Sequence, residues 1–128
     1  NKLDVVLSWA GMPWQFDFLS IDIDGNDYWV WESLVRYSPS VVVIEFNPMC
    51  GLGDYVQPFD GQGGASLKSL VALGKIKNYE LVSTTEMNAF FVRKELFSWF
   101  DINSNSPEEL FTKSEGLYGK DIKNYAQT

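Results

Sequence analysis

The apolar positions of this chain fall into runs whose spacing switches between helical and strand-like. Leu3, Val6, Leu7 and Ala10 recur at the three-and-four spacing of an amphipathic helix, with Asn1 placed to cap it and Gly11 and Pro13 to stop it. Phe16–Ile23 and Val41–Phe46 are short, β-branched and aromatic runs, apolar enough to be strands buried on both faces. Between them the spacing predicts a helix from Asp27 to about Tyr37, with Trp31, Leu34 and Val35 toward the sheet, Asp24 or Asn26 as its cap and Ser38-Pro39 as its end. A long Gly/Pro segment, Asn47 to Gly64, precedes a third helix over Ala65–Asn78, whose apolar positions are Leu67, Leu70, Val71 and Ile76. Tyr79–Ser83 and Asn88–Arg93 are strand-like and separated only by Thr84–Met87, which demands an antiparallel hairpin. The remainder is less regular. A short helix is expected at Pro107–Thr112, where Ser106 and Glu109 match a capping box.

A strand, a crossover helix and a second strand make a right-handed βαβ unit, so both strands end at one edge of the sheet. That edge collects Asp22, Asp24, Glu45 and Asn47, and the hairpin's reversed last strand brings Asn88 to it as well. Ligands of open α/β sheets bind at the carboxyl edge, which makes this rim the candidate site. Asp22 and Asp24 are the candidate catalytic residues, able to position an acceptor hydroxyl or act as a general base. Glu45, Asn47 and Asn88 are candidates for substrate binding. Plainer roles compete at each position: Asp24 and Asn26 as helix caps, Asp22 as an acceptor for turn amides, Glu45 in a structural hydrogen bond, and the two asparagines satisfying turn backbone. A divalent cation held by Asp22, Asp24 and Glu45 is the alternative chemistry, that of a metal-dependent hydrolase or transferase.

Composition narrows the field. The 128 residues make one domain, and a net charge of −7 offers no footprint for nucleic acid or for an anionic membrane surface. No run is long and apolar enough to span a membrane, and no signal-peptide pattern is present. The lone Cys50 forms no internal disulfide, so the expected setting is cytoplasmic; with no nearby cation to activate it, it is a poor nucleophile. The chain contains no His, which removes every imidazole-based triad, dyad and metal site and leaves proton transfer to carboxylates, Tyr or Lys. Trp29 and Trp31 read as packing rather than a stacking platform, and Lys68, Lys75 and Lys77 as a solvated face. Starting at Asn1 in an already patterned segment, the sequence reads as part of something longer.

The blocks FDFLSIDIDGNDYWVW, VVVIEFNP, GGASLKSLVALGKIKNYELV and NAFFVRKEL, in this order across residues 1–97, resemble the carboxyl-terminal half of FkbM-like AdoMet-dependent methyltransferases. The resemblance implies a Rossmann-like, three-layer α/β half-domain over 1–97, with parallel strands ending in an antiparallel hairpin and an irregular tail over 98–128. It implies methyl transfer from S-adenosyl-L-methionine, to oxygen on a small molecule or sugar, in the full-length parent. Asp22 to Gly25 would then sit beside the transfer centre and Glu45, Asn47 and Asn88 near the acceptor. The family's glycine-rich turn and second-strand acid have no counterpart here. Gly61-Gln62-Gly63-Gly64 does not supply the turn, since Ser66 stands where a third glycine is needed and the stretch follows a loop. The chain alone is therefore expected to bind the cofactor weakly or not at all and to be inactive, or to be a non-catalytic interaction module. By the family's strand order, Phe16–Ile23 is left as an edge, expected to be covered by a homo-oligomer or by the Lys94–Thr128 tail.

Overall fold

A computed structural model describes residues 2–111. The capping role expected of Asn1, the Thr112 end of the short helix and most of the 98–128 tail lie outside them. The elements run α1 (Lys2–Trp9), β1 (Phe18–Ile21), α2 (Asp27–Ser33), β2 (Val41–Glu45), α3 (Leu67–Ile76), β3 (Tyr79–Thr84) and β4 (Asn88–Arg93). Short 3₁₀ turns occupy Pro48–Cys50 and Lys94–Trp99, and 107–111 is helical, with the Glu109 amide donating to the Ser106 hydroxyl at 3.3 Å. The four strands form one sheet in the order β1-β2-β4-β3, an α/β fold. β1 and β2 are parallel, whereas β4 runs antiparallel to both of its neighbours, β2 and β3. The hairpin is therefore as expected, and its last strand inserts next to β2.

Alternate residues of the strands build the core. Val42, Ile44, Leu81, Ala89 and Phe91 are buried on one face, against which α2 and α3 pack. Trp31 of α2 sets its ring 4.8 Å from Phe91 and 5.7 Å from Tyr79. α3 reaches this pair through Gly74, where a Cβ would lie 3.0 Å from the Phe91 ring; a side chain there would require the Phe91 and Trp31 rings to give way by a few tenths of an ångström. The other face is covered unevenly. Val43 and Val92 are buried, the Lys94–Trp99 turn lying against β3 and β4, but at the β1 end Phe18 is 57% exposed and Ser20 is open. The expectation that the first strand is buried on both faces is thus corrected: among the described residues it is a sheet edge, and its Phe18 and Ser20 are exposed.

The helices depart from the apolar spacing in ways that trace to distant partners. In α1 the expected stripe fails, since Val6 and Ala10 are exposed and the buried residue is Asp4. The Asp4 carboxylate accepts the Val35 and Arg36 amides at 3.2–3.3 Å, so α1 is fastened by a charge rather than by its methyl groups. α2 stops at Ser33, not Tyr37, and Val35 is 79% exposed instead of facing the sheet. Its end is set from outside: Asp4 takes the Val35 and Arg36 amides, and the Lys77 ammonium donates to the carbonyls of Leu34 at 2.7 Å and Glu32 at 3.3 Å. Lys77 is consequently not part of a solvated face, and burial lowers its pKa. α3 begins at Leu67 behind Ser66, whose hydroxyl accepts the Ser69 amide at 3.1 Å, and ends before Asn78, which takes the left-handed conformation at φ 63°. Ile76, expected in its apolar stripe, is exposed.

Candidate functional site

The rim forms because β1 and β2 are parallel and in register, with Ile21 opposite Ile44, while β4 begins opposite the end of β2, Glu45 facing Asn88. Just past Ile21 the chain turns sharply through Asp22-Ile23-Asp24-Gly25-Asn26. Asp24 and Asn26 both have positive φ, 55° and 25°, values that Asp and Asn tolerate better than most residues. The turn is held by Asp27, the first residue of α2. Its buried carboxylate accepts the Ile23 amide at 3.1 Å and the Gly25 amide at 3.0 Å. Asp27 thus does the turn-amide work considered above for Asp22. Asn26 occupies the cap position but makes no side-chain cap bond.

Freed from capping, Asn26 fastens the long loop. Its Oδ1 accepts from Gln57 Nε2 at 3.2 Å and from the Asp60 amide at 2.9 Å, and its Nδ2 donates to Asp60 at 3.0 Å. Gln57, fully buried, also donates to the Gly61 carbonyl at 3.1 Å and accepts the Gly64 amide at 2.6 Å. The Trp29 indole donates to the Gln57 carbonyl at 2.9 Å. The glycine-rich segment is therefore an ordered loop folded around one buried amide and docked on the rim. Gly63 and Gly64 turn at φ 105° and 62°, and neither belongs to a strand-to-helix phosphate turn.

Between loop and rim lies a cavity of about 280 Å³ walled by Asp24, Asp27, Glu45, Phe46, Pro48 and Met87 together with the glycine backbone. Asp22, Asp24 and Glu45 each bring a carboxylate oxygen within 4.8 Å of the others. Among the described residues no basic side chain lines the cavity, and the carboxylates confront one another. The effect concentrates on Glu45, half-buried at the end of β2. Burial, then the charges of Asp22, Asp27 and Asp24, and a hydrogen bond with Asp22 raise its pKa to about 7. Asp27 is raised as well, by burial, against the lowering effect of the amides it accepts. Glu45 therefore holds its proton up toward neutrality.

Asp22, Asp24 and Glu45 come together as the topology requires. Asn47 lines the cavity, yet both ends of its amide are occupied, accepting the Met49 amide at 2.9 Å and donating to the Gly63 carbonyl at 2.6 Å. Asn88 lies opposite Glu45 but outside the cavity wall, where it closes the hairpin turn with Thr85. Asp27 and Gln57 were missed as site-forming residues. The acid at the first helical position after D-G-N was the available signal for Asp27, whereas a loop glutamine carries none. Burial raises the Cys50 thiol, away from nucleophilic thiolate. No family model, no curated protein and no solved structure matches the chain.

Proposed function

We propose that this chain carries the acceptor side of an O-methyltransferase, with the Glu45–Asp22 pair as the base that prepares a hydroxyl on a small molecule or sugar. The observation that carries the reading is a carboxyl group poised near pH 7 on a rim with no imidazole. Such a group is ionised often enough to accept a proton and basic enough to hold it. Ionised Glu45 takes the hydroxyl proton as the oxygen becomes nucleophilic, and Asp22 stabilises the protonated form by accepting its hydrogen bond. Asp24 and the exposed loop backbone orient the remaining hydroxyls. Displacement at a methyl group needs alignment above all, which suits a walled cavity supplied with one base.

The sheet supports the same reading, since a parallel pair finishing in an antiparallel hairpin is the layout that the FkbM-like resemblance implies. The described residues do not fit S-adenosyl-L-methionine. Their glycine-rich loop is engaged with Gln57 and Asn26, and among them no cation lines the cavity to meet a carboxylate. The reading therefore places the methyl donor's cradle on other residues of the parent, and it expects a hydroxylated acceptor and a cytoplasmic setting. Among the described residues no helix is long and apolar enough to cross a membrane. A second copy pairing along the free edge of β1, beside exposed Phe18, belongs to the same proposal. Light scattering should then give a dimer that Ser20→Pro dissociates, and a monomer at all concentrations removes it.

The decisive experiment is methyl transfer from labelled S-adenosyl-L-methionine to a panel of sugars and phenols by the full-length parent. Glu45→Gln and Asp22→Asn should each lower turnover by about 100-fold or more with thermal stability retained. Full activity in either variant sinks the assignment. The proximity of the three carboxylates favours one rival, a divalent cation bound by Asp22, Asp24 and Glu45. Calorimetry with Mg²⁺, Mn²⁺ and Ca²⁺ separates the two, because tight binding that Asp24→Asn abolishes would replace the base with a metal site.

A further inference from the structure

The opposite end of the sheet carries the reverse charge. There β4 ends at Arg93, beside the first residue of β3, and a hollow of about 640 Å³ opens among Gln15, Lys77, Asn78, Arg93, Lys94 and Glu95. In a chain with ten basic and seventeen acidic residues, three of the ten bases meet here against one acid. We propose that this hollow binds an oxyanion, the phosphate or carboxylate group of a small molecule, with the Arg93 guanidinium as its principal contact.

Arg93 carries the inference. Its side chain is only 16% exposed, and its Nε is the one buried side-chain nitrogen or oxygen among the described residues without a hydrogen bond. Glu95 Oε1 lies 3.4 Å from that Nε, a charge contact without hydrogen-bond geometry, and Nη2 reaches only the Ser40 hydroxyl at 3.4 Å. A guanidinium has five N–H donors in a planar fork, and leaving them unmet in a buried place is costly. A phosphate or carboxylate matches that fork with two parallel bonds. The neighbours divide their roles. The Lys77 ammonium is committed to the Leu34 and Glu32 carbonyls, with the Glu32 and Asp4 carboxylates nearby, so it contributes field rather than a donor. Exposed Lys94 supplies a movable charge, and the Gln15 and Asn78 amides on the wall supply neutral donors. Glu95, with 63% of its side chain exposed, is a weakly held internal competitor that an entering anion displaces.

Because the chain has only two arginines, Arg36 and Arg93, the Nε–H signal of Arg93 is resolvable by ¹⁵N NMR, with Arg36→Lys assigning it. Titrations of the full chain with inorganic phosphate, acetate and chloride at matched ionic strength make the test. Phosphate or acetate should shift the Arg93 signal saturably and chloride should not; the tighter of the two names the group bound. Glu95→Gln should tighten that binding and Lys94→Ala weaken it, each by about threefold. A response that is linear or reproduced by chloride overturns the proposal, as does saturable binding that Glu95→Gln leaves unaltered.

Discussion

The two ends of this sheet use charge in opposite ways. At the amino end, a cation and a hydroxyl fasten backbone that would otherwise be bare: Lys77 covers the last carbonyls of α2, and the Tyr79 hydroxyl donates to the Pro39 carbonyl at 2.6 Å. At the carboxyl rim, neutral amides do the fastening through Asn26, Asn47 and Gln57, and the carboxylates of Asp22, Asp24 and Glu45 are left facing one another. Charge removed from the amino end should therefore destabilise the fold, whereas charge removed from the rim should stabilise it. Proteins hold such repulsion where chemistry requires it. Asp27 is the instructive exception, a rim carboxylate that behaves like an amino-end charge because two amides depend on it.

The largest expected effect comes from that exception. Asp27→Ala orphans the Ile23 and Gly25 amides and should cost about 2 kcal/mol in urea denaturation at pH 7. Little or no loss would mean that the turn holds itself. Lys77→Met keeps the aliphatic stem but exposes two carbonyls without a donor, and about 1 kcal/mol of destabilisation is expected by the same method. A neutral outcome would erase the contrast between the ends.

Glu45→Gln should have the opposite sign and depend on pH. Glu45 is an acid whose folded pKa is raised, so the folded state holds its proton more tightly than the unfolded chain does. Its contribution is intact below the ordinary value of 4.5 and is lost as pH climbs to about 7. The variant should thus match the wild type at pH 4 and exceed it by about 0.5 kcal/mol at pH 8, a figure reduced for solvent screening. Thermal unfolding at both pH values decides it, and a gap that does not widen with pH counts against a strained carboxyl. The smallest effect is expected from Asp24→Gly, which removes one charge and relieves the left-handed φ of 55°. Its unfolding midpoint should stay within about 0.5 kcal/mol of wild type, and a larger loss would revive capping by Asp24.

Much of this architecture was legible in the sequence. The parallel pair and the hairpin follow from β-branched runs and the lengths of their connections, and those connections bring Asp22, Glu45 and Asn88 to one rim, whereas the place of β4 beside β2, which sets Asn88 opposite Glu45, does not follow from them. What was not legible depends on distant partners. The end of α2 is set by Asp4 and Lys77, residues far away along the chain, which no local spacing reports. The failed apolar stripe of α1 has the same origin, since a carboxylate claimed by two amides outweighs exposed methyl groups. In the loop, a polar Gln57 became the buried centre because its one amide satisfies several partners at once. Site membership follows topology, but the use of each polar group depends on hydrogen bonds that only folding assigns.

The acidic rim is tested most directly by titrating the Glu45 carboxyl carbon by ¹³C NMR in the wild type and in Asp22→Asn. A wild-type midpoint near 7 that moves partway back toward 4.5 in the variant is the expected result, since the variant removes the Asp22 charge and leaves burial in place. A wild-type midpoint in the ordinary carboxylate range, or one that Asp22→Asn does not move, would contradict a Glu45 carboxyl raised by this rim and with it the base proposed for the acceptor.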